Sequence, residues 1–291
     1  MNNFPKISII TPSFNQANYL EETILSILNQ DYPNLEYIII DGGSTDDSVA
    51  IIKKYEKKLA YWTSEPDNGL YHALQKGFEK ATGEIMAWLN SDDLYHNRSL
   101  FVVAEIFTQF SQIQWLTGIP TYFNNDGQIV RVGYQAENWS LFRFLLRGRY
   151  FRYIQQESTF WRRSLWLRSG GFVSQEYNLA GDFELWRRFF RCEKLYTVHT
   201  ILAGFRFRMN NQKSLEQKKG YDNEIEKIIK YDPLSRKQKL HLILCILYQN
   251  SILRFIRDGG IVRKLTKYLF NYPPVLFYDR FTNRFEWTDN L

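Results

Sequence analysis

The chain has 291 residues, 44% of them apolar, enough for a substantial core and too many for a disordered protein. Lysine and arginine exceed aspartate and glutamate by 37 − 31 = 6 and the pI is near 9.1, a balance that suits an anionic partner without choosing among nucleic acid, a phosphorylated ligand and a membrane surface. The isolated Cys192 and Cys245 have no metal or disulfide spacing and read as reduced and buried, and no segment has the pattern of a signal peptide or a membrane span, so a cytoplasmic protein is expected.

In chain order, the β-branched run Ile7 to Ile10 predicts a first strand, and "NYLEETILSILNQ", with Leu20, Ile24, Ile27 and Leu28 at helical spacing, predicts a first helix. "EYIII" (Glu36 to Ile40) is a second strand, and "STDDSVAIIKKY" a second helix that Ser44 or Thr45 would cap. "GLYHALQKGFEKATG", closed by Gly83, and "EIMAWLN" add another helix and strand. Alternation of this kind predicts an α/β fold with a mostly parallel central sheet and right-handed crossovers. Between Trp139 and Arg191 the sequence is crowded with aromatics and arginines, and "GDFELWRRFFR" (Gly181 to Arg191) predicts a helix with Asp182 in its first turn and Phe183, Trp186 and Phe190 on one face. From Tyr231 onward, leucine, isoleucine and phenylalanine alternate with Arg254, Arg257, Arg263, Lys264 and Lys267 and few acids. This predicts a helical extension that either lies on an anionic membrane or packs on the preceding domain.

Open parallel sheets bind ligands beyond the carboxyl ends of their strands. Thr11, Asp41 and the adjacent acids Asp92 and Asp93 of "WLNSDD" all fall just after a predicted strand, so acid and hydroxyl side chains converge on one edge. Each alone is an ordinary turn or cap residue; together they point to a bound cation or polar ligand. Asp182 by itself reads equally as a helix cap.

"ISIITPSFNQANYLEETILSILNQDYPNLEYIIIDGGSTDDS", "EPDNGLYHALQKGFEKATGEIMAWLNSDD" and "GDFELWRR" resemble glycosyltransferase family 2, nucleotide-sugar-dependent enzymes of the GT-A fold, and are most similar to bacterial members that build surface polysaccharides and lipid-linked glycans. The resemblance covers roughly residues 6 to 215. It implies a glycosyltransferase domain over 1–230, with a nucleotide-sugar half to about 95 and an acceptor half beyond it, followed by the extension 231–291. Thr11, Pro12 and Asp41 would form the nucleobase pocket, and Gly42 stands where many relatives have a second acid. Glu65, Asp67 and Lys76 would line the nucleotide or donor sugar. Asp92 and Asp93 would supply the metal ligand for Mn²⁺ or Mg²⁺ and a contact to the ribose, with Asn90 where the family's first motif acid is common. Asp182 matches the general base of an inverting single displacement. Trp186, one turn on, is a candidate acceptor contact. Arg208, in "FRFRMNNQKS", would reach the diphosphate, while Met209 and Asn210 replace a common histidine.

The resemblance therefore implies an inverting, metal-dependent transfer from a nucleotide sugar, with UDP favoured, to a saccharide or lipid-linked glycan. The Gln-x-x-Arg-Trp signature of processive synthases is absent, which favours one addition per acceptor. The departures at Asn90 and Met209 leave a second reading, a catalytically silent binder of sugar nucleotides or glycans. A nucleic-acid partner is not expected, since nothing resembles a nucleic-acid module.

Overall fold

The computed structural model describes residues 4–134, 138–145, 153–208, 217–231, 233–250 and 267–288. The first half alternates as expected: β1 (Ile7–Ser13), α1 (Ala17–Leu28), β2 (Leu35–Asp41), α2 (Ser48–Tyr55), β3 (Tyr61–Ser64), α3 (Leu70–Lys80) and β4 (Ile85–Trp88). β1 pairs in parallel with β2 on one side and β4 on the other, and β2 pairs in parallel with β3. The strand order thus reverses between β1 and β4, which opens a crevice at their carboxyl ends. Ile7, Ile9, Ile10, Ile38, Ile39 and Ile40 are wholly buried, as continuous apolar runs in a sheet covered on both faces must be.

The second half adds β5 (Leu94–Tyr95), α4 (Ser99–Gln109), β6 (Trp115–Thr117), β7 (Thr121–Phe123), β8 (Ile129–Val132), α5 (Leu141–Leu145), β9 (Thr159–Arg162), α6 (Arg163–Arg168), α7 (Gly181–Cys192), β10 (Tyr196–Val198) and β11 (Ala203–Arg206). α8 (Lys218–Tyr231), α9 (Arg236–Asn250), β12 (Val275–Asp279) and β13 (Arg284–Thr288) follow. Among the described residues the strands form a nine-stranded sheet in the order β13-β12-β10-β6-β9-β4-β1-β2-β3, and a four-stranded sheet in the order β5-β11-β7-β8. β9 is antiparallel to both neighbours, so the large sheet is mixed beyond β4. Trp88, Trp115, Trp161 and Trp186 interlock under this region, with Trp88 and Trp186 stacked at 5.6 Å.

Five sequence expectations change. β1 runs three residues past Ile10 because Thr11, Pro12 and Ser13 stay paired with β2, so Thr11 lies inside the strand. α2 starts at Ser48, with Asp46 accepting its N–H at 3.0 Å, while Ser44 and Thr45 belong to the preceding loop. Gly83 does not close α3: a Cβ there would lie 2.4 Å from Ser8 Oγ, so glycine permits close passage by β1. The stretch from Tyr231 is helical only in part, since β12 and β13 form an antiparallel hairpin that extends the central sheet beside β10. The boundary expected at 231 is therefore crossed by sheet pairing. Cys245 is buried, but Cys192 is exposed at the end of α7.

One buried acid ties the sheet's amino edge together. Glu36 of β2 accepts from Ser8 Oγ, from Lys6 Nζ, and from the N–H and hydroxyl of Thr82. Burial alone would push its carboxyl up, but the Lys6, Ser8 and Thr82 bonds outweigh it and hold the group down at about 2. A carboxyl depressed on folding stabilises above its unfolded value near 4.5 and loses that contribution as pH falls toward 2. Glu36→Gln is expected to cost about 2 kcal/mol at pH 7. Urea midpoints of the two proteins should converge between pH 4.5 and the folded value of about 2; a constant gap would place the effect elsewhere.

Candidate active site

The loops that leave β1 and β2 are laced together at the crevice. Asn15 N–H donates to Ser44 Oγ at 2.8 Å, Thr45 N–H to Asn15 Oδ1 at 2.9 Å, Gln16 N–H to Ser48 Oγ at 3.0 Å, and Ala17 N–H to Asp46 Oδ2 at 3.0 Å. Serine, threonine and short acids suit these turns because they bond to nearby backbone.

The expected nucleobase residues are less open than the sequence suggested. Thr11 is wholly buried and its hydroxyl accepts from Tyr37 at 3.1 Å; Pro12 is buried opposite Ile40. Asp41 is wholly buried too. Its carboxylate accepts from the N–H groups of Gly43 (3.1 Å) and Ser44 (2.9 Å) and from the hydroxyls of Ser44 (2.6 Å) and Ser64 (2.7 Å). All three residues are buried, with the polar groups of Thr11 and Asp41 engaged by the chain itself. Asp67 is half-buried and packs against Gly42: a Cβ there would lie 2.9 Å from Asp67 Oδ2, so glycine at 42 leaves room for that carboxylate. Asp67 Oδ1 also accepts from the N–H of Gly69, which caps α3 at φ 102°. Lys76 of α3 pairs with the exposed Glu65 at 2.8 Å, so these two expected donor-site residues neutralise one another.

Beyond β4, the two adjacent acids part company. Asp93 is buried, and its carboxylate accepts from the Arg206 N–H at 2.9 Å and the Asn90 amide at 3.2 Å. Burial first, then the neighbouring Asp92 and Glu157 charges, push its carboxyl well above the usual range. Of the two acids expected to serve the metal, Asp93 is thus the one held by the chain's own donors. Asp92 instead meets Arg208, whose Nε lies 2.9 Å from Oδ2, while Arg208 Nη1 donates to Gln16 at 3.1 Å. Arg206 is a staple: it donates to the Asp92 carbonyl at 2.7 Å, to the Asn125 carbonyl at 2.8 Å and to Glu22. Met209 and Asn210 lie outside the described residues.

Among the described residues no three histidine, cysteine, aspartate or glutamate side chains gather closely enough to cage a metal. The donors present at the crevice are the Asp92 carboxylate and the buried Asn90 amide oxygen, which has no hydrogen-bond partner. An all-oxygen, incomplete set of this kind fits Mg²⁺ or Mn²⁺, which complete their coordination with water and diphosphate oxygens.

Across the crevice, Asp182 sits in the first turn of α7. Tyr71 of α3 holds that turn, donating to the Leu179 carbonyl at 2.9 Å and accepting from Asp182 N–H at 3.3 Å. Gly181 allows the approach, since a Cβ would lie 2.8 Å from the Tyr71 ring. Glu224 of α8 accepts the N–H groups of Asn178, Leu179 and Ala180, satisfying donors that lead into the helix. The Tyr221 hydroxyl stands 3.4 and 3.5 Å from the two Asp182 oxygens. Trp186 points the other way and is 1% exposed among the tryptophans, which corrects its expected contact with an acceptor: the side chain fills the core. Glu157, before β9, is an acid that no sequence motif brought forward. It is buried, its Oε1 has no hydrogen-bond partner, and burial first, with the Asp92 and Asp182 charges adding, pushes its carboxyl up to about 8.

Residues 8–166, more than half of the chain, match the family described as glycosyl transferase family 2. The chain belongs to glycosyl transferase family 2. An uncharacterized glycosyltransferase of Mycobacterium tuberculosis is 31% identical over 208 residues, covering 70% of this chain and 76% of that protein. Among solved structures, S. aureus TarS in complex with UDP-GlcNAc superposes with a TM-score of 0.64 at 18% identity, over 91% of this chain and 79% of that chain. Mannosyltransferase PcManGT from Pyrobaculum calidifontis, in complex with GDP-Man and Mn²⁺, superposes with a TM-score of 0.55 at 18% identity, over 92% of this chain and 69% of that chain. The fold is GT-A and the protein is a glycosyltransferase.

Proposed function

We propose that this family 2 enzyme transfers one sugar from a nucleoside diphosphate donor, UDP-linked in the first instance, to a hydroxyl of a saccharide or lipid-linked glycan, with inversion at the anomeric carbon, in the synthesis of surface glycans. The observation that carries the reading is that the charges of Asp92 and Asp182 both bear on the buried Glu157. That both acids lie near enough to act on one buried carboxyl supports assigning the diphosphate-side and acceptor-side roles to them in a single displacement.

In the proposed reaction the acceptor hydroxyl gives its proton to the Asp182 carboxylate as its oxygen bonds to the anomeric carbon. The bond from that carbon to the diphosphate oxygen breaks, and the electron pair leaves with the nucleotide. Arg208 lies beside Asp92 and offers fixed positive charge to the leaving diphosphate. Asp92 would hold the divalent ion, with Asn90 close by, and a bound Mn²⁺ or Mg²⁺ would supply Lewis-acid stabilisation of the departing phosphate. Asp67, half-buried beside Gly42, would meet the nucleobase or ribose. The fold neighbours include one solved with UDP-GlcNAc and one with GDP-Man and Mn²⁺, so the nucleotide itself is the property to test.

Calorimetric titration with UDP, GDP and dTDP, each with Mn²⁺ and again with EDTA, is expected to show binding of UDP that weakens at least tenfold without metal. Binding of GDP alone would move the donor to a GDP-sugar. Binding of no nucleotide would overturn the catalytic reading.

A further inference from the structure

α9 is apolar on two opposite faces. His241, Leu242, Cys245 and Ile246 turn inward against Phe142, Leu269, Phe270 and Tyr272, with the His241 and Phe142 rings stacked at 4.1 Å. On the far side Leu240, Ile243, Leu244 and Leu247 are 61%, 51%, 46% and 61% exposed. Their i, i+3, i+4, i+7 spacing makes one continuous stripe. A helix that is apolar all round ordinarily lies buried, and a contiguous apolar surface stripe marks a binding face. Arg236 and Lys237 flank the stripe, with Lys239 exposed one turn before Ile243, and the helix Arg236–Asn250 carries no aspartate or glutamate.

The geometry points to this outer face of α9 as a docking surface for an anionic lipid bilayer. Four large apolar side chains fit the boundary between headgroups and acyl chains, and flanking cations without acids fit anionic headgroups. A second copy of this chain would bring the same positive sign to the contact, which argues against self-association through this stripe. No helix among the described residues is long and apolar enough to cross a membrane, so the contact is made along the surface. The inference goes beyond the proposed transfer reaction and does not depend on which nucleotide binds.

The test needs point variants, because removal of everything after Tyr231 would also strip β12 and β13 from the central sheet. The full chain is floated with vesicles of phosphatidylcholine alone and of phosphatidylcholine with 30% phosphatidylglycerol (roughly the anionic share that gives a strong surface potential). Wild type is expected to float with the anionic vesicles and not with the neutral ones. Leu240→Asp with Leu244→Asp should lower the bound fraction at least tenfold, and Arg236→Gln, Lys237→Gln and Lys239→Gln together should weaken binding while leaving the thermal midpoint unchanged. The second set alters only exposed cations and keeps the test decisive if the first set disturbs folding. Wild type that never floats, or an aspartate pair that floats as well as wild type, overturns the assignment. So does a dimer in light scattering that the aspartate pair converts to a monomer, which would give the stripe to a second copy.

Discussion

Asp182→Asn is expected to lower sugar transfer by about 10²–10⁴-fold, the usual contribution of a positioned general base, with nucleotide affinity nearly unchanged. The separation follows from placement. Asp182 stands in the first turn of α7, held by Tyr71 and by the Glu224 cap of the preceding residues, whereas the residues proposed for the diphosphate, Asp92 and Arg208, lie after β4 and β11. Asparagine keeps the shape and the hydrogen bonds of the turn but cannot take the acceptor's proton. Transfer rates with saturating donor, set beside calorimetric nucleotide affinity, distinguish the two roles. An Asn variant with wild-type turnover would remove Asp182 from the chemistry, and a variant that loses nucleotide binding would show that it shapes the donor pocket.

The nucleotide half was legible because its signals are local. Continuous β-branched runs, helical spacing at Leu20, Ile24 and Ile27, and acids just after strands each follow from a few neighbouring residues, and the parallel sheet then puts the strand ends on one edge. The second half resisted because its elements are short and pair at long range. β9 inserts antiparallel between β4 and β6, and the hairpin of β12 and β13 returns from the far end of the chain to β10. No periodicity in "TFWR" or "VLFYD" states which strand each will meet.

The same limit applies to the site. The sequence brought Asp92 and Asp93 forward as a pair, but burial separates them: the backbone N–H of Arg206 and the Asn90 amide draw Asp93 inward, while Arg208 meets Asp92. Trp186 has the spacing for either a core or a sugar contact, and only the neighbouring Trp88, Trp115 and Trp161 decide for the core. Tyr71, Tyr221 and Glu224 act on Asp182 from distant helices, and no local motif marks such partners. Glu157 carried one available signal: a lone acid in the otherwise uncharged run "QQESTFW", next to a strand with Phe160 and Trp161 wholly buried.

That acid gives the second large effect. Glu157 is held at about 8 in the folded protein, by burial first and by the Asp92 and Asp182 charges, against an ordinary value of 4.5. A carboxyl raised on folding contributes stability that is fully present below 4.5 and is lost as pH climbs through the folded value near 8, because the unfolded chain ionises first. Glu157→Gln replaces the group with a neutral one of the same shape. The variant is expected to gain about 2–4 kcal/mol over wild type at alkaline pH and little at acid pH, since a tenfold change in proton affinity between the unfolded and folded chain is worth about 1.4 kcal/mol. Urea unfolding at pH 5, 7 and about 8.5, roughly spanning this window, reads the difference directly. Activity supplies a second signature, since ionised Glu157 adds negative charge beside Asp92, on the side proposed for the diphosphate. Wild-type turnover should fall above the folded value near 8, and the glutamine variant should hold its rate there. If both proteins share one alkaline limb and one stability slope, Glu157 stays ionised through a partner that neutralises it, and the charge balance of the crevice has to be assigned to that partner instead.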